Sequence, residues 1–279
     1  MKKVCFIYPH ITSYILPLLR GMAEGCKLDV VYSPAPIKAG FGEHKLFNHP
    51  NITWTKLRTI FPFGKYFGMY QMGIIIHILK FRPDIIVIFS NPRYLSFWFI
   101  LFLGKILKIE VYPRGHGLVK KKKPSKLIKL VYRIIIGLST KYLCYTVSVK
   151  DSLSNIAKEE LLLVDNNTLY NSLPVIPKEK TGCESGIFFI GRLRERCGVE
   201  ELINAISILR LQRRNNIELH IIGDGPLSDI VVSKTLENQW IHYYGQIFDN
   251  SKINEISKMC RIGCYPGDMG LSAVHMFSL

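Results

Sequence analysis

Ile187-Phe188-Phe189-Ile190-Gly191-Arg192-Leu193 is followed by a helical stretch from Gly198 to about Leu211. A second apolar run, Ile217 to Ile222, then ends in Gly223-Asp224-Gly225-Pro226. The periods read strand, glycine turn, helix, strand, glycine turn. In a parallel α/β sheet such turns lie at the carboxyl ends of the strands, where ligands bind. Glycine lets the backbone approach a phosphate closely, and a following helix presents free N–H groups to it. Arg192 adds a planar positive fork suited to phosphate oxygens. This stretch reads as a site for a phosphorylated ligand, a nucleotide being the best fit.

The first half has the same grammar. Val4–Tyr8, Leu28–Tyr32, Ile85–Phe89, Ile109–Tyr112 and residues 141–147 read as strands. Ser13–Gly25, Lys65–Phe81, Arg93–Leu107 and residues 125–138 read as helices, with Arg82-Pro83-Asp84 as a breaker. Alternation of this kind predicts an α/β fold with a parallel, doubly wound sheet. Asn166 to Gly186 carries neither period and reads as the hinge. The division expected is residues 1–172 as one domain, 173–186 as linker and 187–279 as a second domain. Strands near 187–190, 217–222, 240–244 and 261–265 are expected there. The last helix starts near Gly270, close to Leu279, so the second domain reads as incomplete.

Composition narrows the classes. The chain has 279 residues, 48% of them hydrophobic and 21% charged, enough to bury sizeable cores. Its cysteines (Cys5, Cys26, Cys144, Cys183, Cys197, Cys260, Cys264) are scattered without paired spacing. They read as reduced core thiols of a cytosolic protein. No apolar run reaches the about 18 residues of a membrane span. The net charge of +16 points to a polyanionic partner. No nucleic-acid motif accompanies it, so nucleic acid is not expected. The run Lys120-Lys121-Lys122-Lys123 leads into an apolar-basic helical pattern as far as Ile136. That combination suits an anionic membrane surface, or else a solvated loop followed by a half-buried helix. The carboxylates show no DxD arrangement and the histidines no ligand spacing, so no metal site is expected.

Three segments together resemble the carboxyl-terminal domain of the retaining glycosyltransferases of family 4. They are Phe189-Ile190-Gly191-Arg192-Leu193, Gly198-Val199-Glu200-Glu201-Leu202-Ile203 and Ile221-Ile222-Gly223-Asp224-Gly225-Pro226-Leu227. The resemblance implies a GT-B fold, two Rossmann-like domains facing a cleft, here with the second one truncated. It implies transfer of a sugar from a nucleotide-diphosphate sugar to a lipid-linked or surface-polysaccharide acceptor. It also implies the inner face of a bacterial cytoplasmic membrane as location, and no cofactor beyond the donor substrate.

The resemblance also assigns roles. His116, in Pro113-Arg114-Gly115-His116-Gly117, would assist at the donor sugar. Arg192 would neutralise the diphosphate as it leaves. Gly191, Gly223, Asp224, Gly225 and Pro226 would line the nucleotide pocket, with Pro226 as a first helical residue. The backbone of Gly270, Leu271 and Ser272 would face the diphosphate, and His275 a ribose hydroxyl. Two departures stand out. The family's Gly-Arg-Leu-x-x-x-Lys-Gly has Cys197 in the Lys position. Its pair of glutamates, Glu-x-x-x-x-x-x-x-Glu, falls on Gly267 and His275, with Asp268 one residue off. A thiol does not replace an ammonium, so a catalytically impaired remnant or an interaction protein is the alternative reading. A nucleotide-sugar epimerase of the same fold is a weaker rival.

Overall fold

The structure is a computed structural model that describes residues 1–12, 15–34, 46–64, 68–118, 124–165, 185–212 and 217–279. The chain divides into two compact units, one holding the described residues up to Asp165 and the other those from Ser185 onward. Most of the expected linker 173–186, and Lys120–Lys123, lie outside the described residues.

The first unit runs β1 (Lys3–Ile7), α1 (Leu16–Gly25), β2 (Lys27–Tyr32), β3 (Ile52–Lys56), β4 (Thr59–Ile60), β5 (Tyr70–Gln71) and α2 (Ile74–Phe81). It continues through β6 (Ile85–Phe89), α3 (Leu95–Leu107), β7 (Glu110–Gly115), α4 (Lys126–Leu138), β8 (Tyr142–Cys144), α5 (Val147–Ser154) and β9 (Leu162–Val164). Seven parallel strands are ordered β3-β2-β1-β6-β7-β8-β9, while β4 and β5 form a separate antiparallel pair. The chain winds outward from β1 to β3 and then returns to the other side of β1. The gap between β1 and β6 is therefore the switch point where such sheets bind ligands.

Side-chain alternation divides the core between the two faces. Cys5, Ile7, Ile86 and Ile88 join Ile78, Phe97, Ile100 and Ile135 on the face of α2, α3 and α4. Val4, Phe6, Val30 and Val87 join Leu19 of α1 on the other. A fully buried side chain such as Phe6 contributes about 1.5–3 kcal/mol. Both faces are covered, which is why β1 and β6 are nearly continuous apolar runs.

The second unit runs β10 (Gly186–Ile190), α6 (Val199–Leu211), β11 (Glu218–Ile222), α7 (Ser228–Glu237), β12 (Ile241–Tyr243), α8 (Asn250–Lys258), β13 (Cys260–Gly263) and α9 (Leu271–Phe277). Its four strands are parallel, in the order β12-β11-β10-β13. Phe189, Leu219 and Ile221 pack with Leu202, Ile206 and Val231 on one face. Phe188, Ile190 and Ile222 pack with Ile253 and Ile256 on the other.

Some expected elements change. Among the described residues of the stretch Lys65–Phe81, only Ile74–Phe81 is helical. Tyr70-Gln71 pairs with Thr59-Ile60 instead, and Gly73 turns the chain at φ 82°. Residues 141–147 are strand only to Cys144, because the Thr146 hydroxyl caps α5 by accepting from the Val149 N–H at 3.3 Å. β7 runs on through Pro113 and Arg114 to Gly115. Pro226 is not a first helical residue, since α7 begins at Ser228.

Candidate functional site

In the second unit three loops meet at the carboxyl ends of β10, β11 and β13. The Gly191 N–H donates to the Ile222 carbonyl at 3.0 Å, the Leu193 N–H to Asp224 O at 3.0 Å, and the Leu227 N–H to Leu193 O at 3.1 Å. The contact is too close for side chains at Gly223, Gly225 and Gly267. A β-carbon on Gly223, at φ +153°, would overlap the Gly191 carbonyl oxygen. One on Gly267 would overlap the Arg196 carbonyl oxygen. The third loop is sewn to the first, the Gly267 N–H donating to Cys197 O at 3.2 Å and the Asp268 N–H to Arg196 O at 2.8 Å. Ser272 Oγ comes within 2.8 Å of where a β-carbon on Gly191 would stand. The structure thus brings together Gly191, Gly223, Gly225 and Ser272.

Asp224 has a local task. Its Oδ1 accepts from the Gly225 N–H and from Ser228 Oγ, both at 2.7 Å, which shapes the turn into α7. Tyr243 Oη donates to Gly223 O at 3.0 Å and supports the turn from the β12 side.

Arg192 is half-buried on the turn after β10. Burial, and after it the charge of Arg194, lower its pKa from the ordinary guanidinium value. With the Arg194 guanidinium donating to the Asp268 carbonyl at 3.1 Å, two positive groups border the glycine-rich turns, a surface that favours an anion. Arg196 turns outward to an exposed ion pair with Asp268 at 3.0 Å and takes a left-handed φ of 66°. Cys197, at the expected Lys position, is fully buried among Phe189, Val199 and Tyr265. His275 lies on α9, half-buried, and burial lowers its pKa. Gly270 precedes that helix, Leu271 opens it, and Ser272 is its second residue.

In the first unit His116 is exposed immediately beyond β7, its ring 4.7 Å from that of Tyr145 in an edge-on arrangement. Beneath it lies a network that no sequence motif signals. Arg114, 1% exposed, pairs through Nε with the Asp165 carboxylate and donates from Nη1 to Tyr8 Oη at 3.0 Å. The Tyr8 and Tyr145 hydroxyls are 2.7 Å apart, and the guanidinium lies 4.7 Å from the Tyr145 ring centre. Burial alone would lower the Arg114 pKa, but Tyr8, Asp165 and Tyr145 more than offset it, and the net direction is up. The network joins the carboxyl ends of β1, β7, β8 and β9 and holds up the backbone that carries His116.

Two groups of potential metal ligands also form among the described residues: Cys5 with Asp29 and His77, and Glu218 with His220 and His242. Neither is visible as spacing, because strand register and helix packing bring the members together.

Residues 184–278 match the family model described as Glycosyl transferases group 1. No curated protein matches the chain. Among solved structures the chain is similar to WaaG, a glycosyltransferase involved in lipopolysaccharide biosynthesis, with 13% identity, a TM-score of 0.64, and coverage of 99% of this chain and 78% of that one. It is similar to a TarM mutant from S. aureus in complex with Fondaparinux, alpha-GlcNAc-glycerol and UDP, with 8% identity, a TM-score of 0.62, and coverage of 100% and 84%. It is also similar to HepE from Anabaena in complex with UDP-glucose, with 11% identity, a TM-score of 0.60, and coverage of 100% and 78%. The glycine loops at β10, β11 and β13 fall inside the matched region, and the alternating architecture extends over both units. The chain has the GT-B fold, and its residues 184–278 match the model of the glycosyl transferases group 1.

Proposed function

We propose that this protein is a retaining glycosyltransferase of family 4 that moves a sugar from a nucleotide-diphosphate sugar to a glycan or lipid-linked acceptor of a bacterial surface polysaccharide. The observation that carries the reading is the backbone-to-backbone closure of the loops at Gly191, Gly223 and Gly267 beside Arg192. Bare backbone lets a diphosphate approach closely, and a guanidinium at the rim supplies the charge. The bond from the sugar's anomeric carbon to the diphosphate breaks, and its electron pair leaves on the diphosphate oxygen. The acceptor hydroxyl oxygen forms the new bond to the anomeric carbon, and its proton passes to the departing diphosphate oxygen. Arg192 stabilises the charge that develops on the leaving group. Gly223, Asp224, Gly225 and Pro226 line the nucleotide, Gly270, Leu271 and Ser272 flank the diphosphate, and His275 meets a ribose hydroxyl. His116 assists at the sugar. The chemistry assigned to these residues calls on no cofactor or metal.

A membrane-surface location fits α4. Its Ser125 cap accepts from the Ile128 N–H at 3.3 Å, and Tyr132, Ile135 and Ile136 are buried. The opposite face exposes Leu127, Leu130 and Ile134 among Lys126, Lys129 and Arg133. An apolar stripe within a basic border suits anionic lipid headgroups. Among the described residues no helix is long and apolar enough to cross a membrane.

A second reading, binding without efficient turnover, is favoured by Cys197: a buried thiol supplies no cation to the leaving diphosphate. Release of nucleoside diphosphate from a panel of UDP-, GDP- and ADP-sugars, with and without membrane extract as acceptor, tests the proposal. Acceptor-dependent release that Arg192→Ala abolishes supports transfer. Donor binding with no release at any protein concentration supports the second reading.

A further inference from the structure

Glu218 and His220 point to one face of β11, being two residues apart on a strand. The β11–β12 register sets His242 directly beside His220. The two imidazole rings stack with centroids 4.7 Å apart and planes 22° from parallel. His220 Nε2 lies 3.6 Å from Glu218 Oε2, and His242 Nε2 lies 3.5 Å from the same oxygen. Both Nε2 atoms are shielded from solvent, and neither makes a hydrogen bond among the described residues. His220 as a whole is 3% exposed. Two buried ring nitrogens facing one carboxylate oxygen beyond hydrogen-bond length leave their bonding capacity unused, which needs an explanation.

We propose that Glu218, His220 and His242 bind a divalent transition-metal ion of the zinc class. The three ligand atoms lie within 4.8 Å of one another. A tetrahedral ion with bonds of about 2.0–2.1 Å holds its ligands about 3.4 Å apart, close to the two separations given above. Two imidazoles and one carboxylate suit zinc and its neighbours, whereas calcium and magnesium take mainly oxygen ligands. The outer support is already in place. Tyr244 Oη is 2.8 Å from His220 Nδ1. With the Nδ1 hydrogen donated to that hydroxyl, Nε2 keeps its lone pair on the side of Glu218, and a turn of the stacked His242 ring brings its Nε2 lone pair to the same ion. The Glu218 side chain is 45% exposed, so an ion has a route in and a solvent molecule can complete the coordination.

The site is separate from the diphosphate cradle. Glu218 opens β11 and Gly223 follows its end, about 16 Å away at about 3.3 Å per residue. β12 lies at the edge of the four-stranded sheet. An ion held jointly by β11 and β12 therefore pins an edge strand to its neighbour. The group of Cys5, Asp29 and His77 is a poorer ligand set. The Asp29 oxygens already receive Thr55 Oγ1 at 2.7 Å and the His77 ring. Burial, and then the Asp29 charge, push the Cys5 thiol well up and away from the thiolate a metal requires.

The test uses the full chain, stripped with chelator and dialysed, titrated with ZnCl₂ by calorimetry and with CoCl₂ by visible absorption. One equivalent should bind with micromolar or tighter affinity. The cobalt spectrum should show tetrahedral d–d bands without sulfur charge transfer. Glu218→Gln and His242→Gln, on the more open side of the site, should each weaken binding at least about tenfold, and Tyr244→Phe by about tenfold. Zinc should raise the thermal midpoint of the parent protein and not that of the Glu218→Gln/His242→Gln double variant. Absence of stoichiometric binding by the folded parent would overturn the proposal. So would equal affinity in the double variant, or a thiolate signature in the cobalt spectrum.

Discussion

The backbone of Gly191 closes against Gly223: the space that a β-carbon on Gly223 needs is filled by the Gly191 carbonyl oxygen, and the Gly191 N–H donates to Ile222 at 3.0 Å. The turns after β10 and β11 are therefore one construction. Gly223→Ala should cost at least about 2 kcal/mol in urea unfolding, since neither backbone can yield without moving a strand end. Gly245 is the control, with φ +66° and open space around it. Gly245→Ala should cost only about 1–2 kcal/mol, the price of the left-handed backbone alone. Equal costs for the two variants would show that the loop closure is not what makes Gly223 necessary.

Arg192→Ala should weaken donor binding about tenfold to a hundredfold, the range expected for a lost charge-assisted hydrogen-bond pair. The thermal midpoint should move little, because Arg192 is only half-buried and stands on a turn. Arg192→Lys keeps the charge and loses the fork, so it should fall between. A variant that binds donor like the parent would remove Arg192 from the diphosphate site.

Asp165→Ala leaves the Arg114 guanidinium buried with Tyr8 and Tyr145 but without its carboxylate. Loss of one partner from a fully buried pair costs about 3–5 kcal/mol. Asp165 is 32% exposed on its side chain, so the expected loss is lower, about 2 kcal/mol. Circular dichroism melts with urea titration measure it. A change under 0.5 kcal/mol, to order of magnitude, would mean that the tyrosines alone satisfy Arg114.

Burial lowers the pKa of both His10 and His275, although the Ser33 and Pro34 carbonyls partly oppose it at His10. A histidine with a lowered folded pKa takes up its proton in the unfolded chain first. Stability should therefore fall as pH drops below the unfolded histidine value of about 6.5, and level off once the folded values are passed. His275→Asn should flatten that slope in melts from pH 7.5 down to about 5. An unchanged slope would show that His275 carries none of it.

The strands with continuous apolar runs, Ile85–Phe89 and Ile187–Ile190, were legible in the sequence, as were the glycine turns after β10 and β11. Those patterns follow directly from burial on both sheet faces and from backbone close approach. Ile52–Lys56 was not legible, because an edge strand with alternating polar residues has little apolar signal. The end of β8 at Cys144 carries no sequence signal, because Thr146, itself a good strand former, acts as a helix cap. The sequence pointed to His116 but not to its support, since Tyr8, Arg114, Tyr145 and Asp165 are joined only by the fold. The same holds for His220 and His242, which are neighbours through register alone.

Donor binding by the full chain, measured by calorimetry against UDP-, GDP- and ADP-sugars, tests the central claim most directly. The account predicts micromolar, one-to-one binding of one of these donors, with the affinity lost in Arg192→Ala and in Gly223→Ala. A folded protein with a sharp thermal transition and no heat of binding for any nucleotide sugar would contradict it.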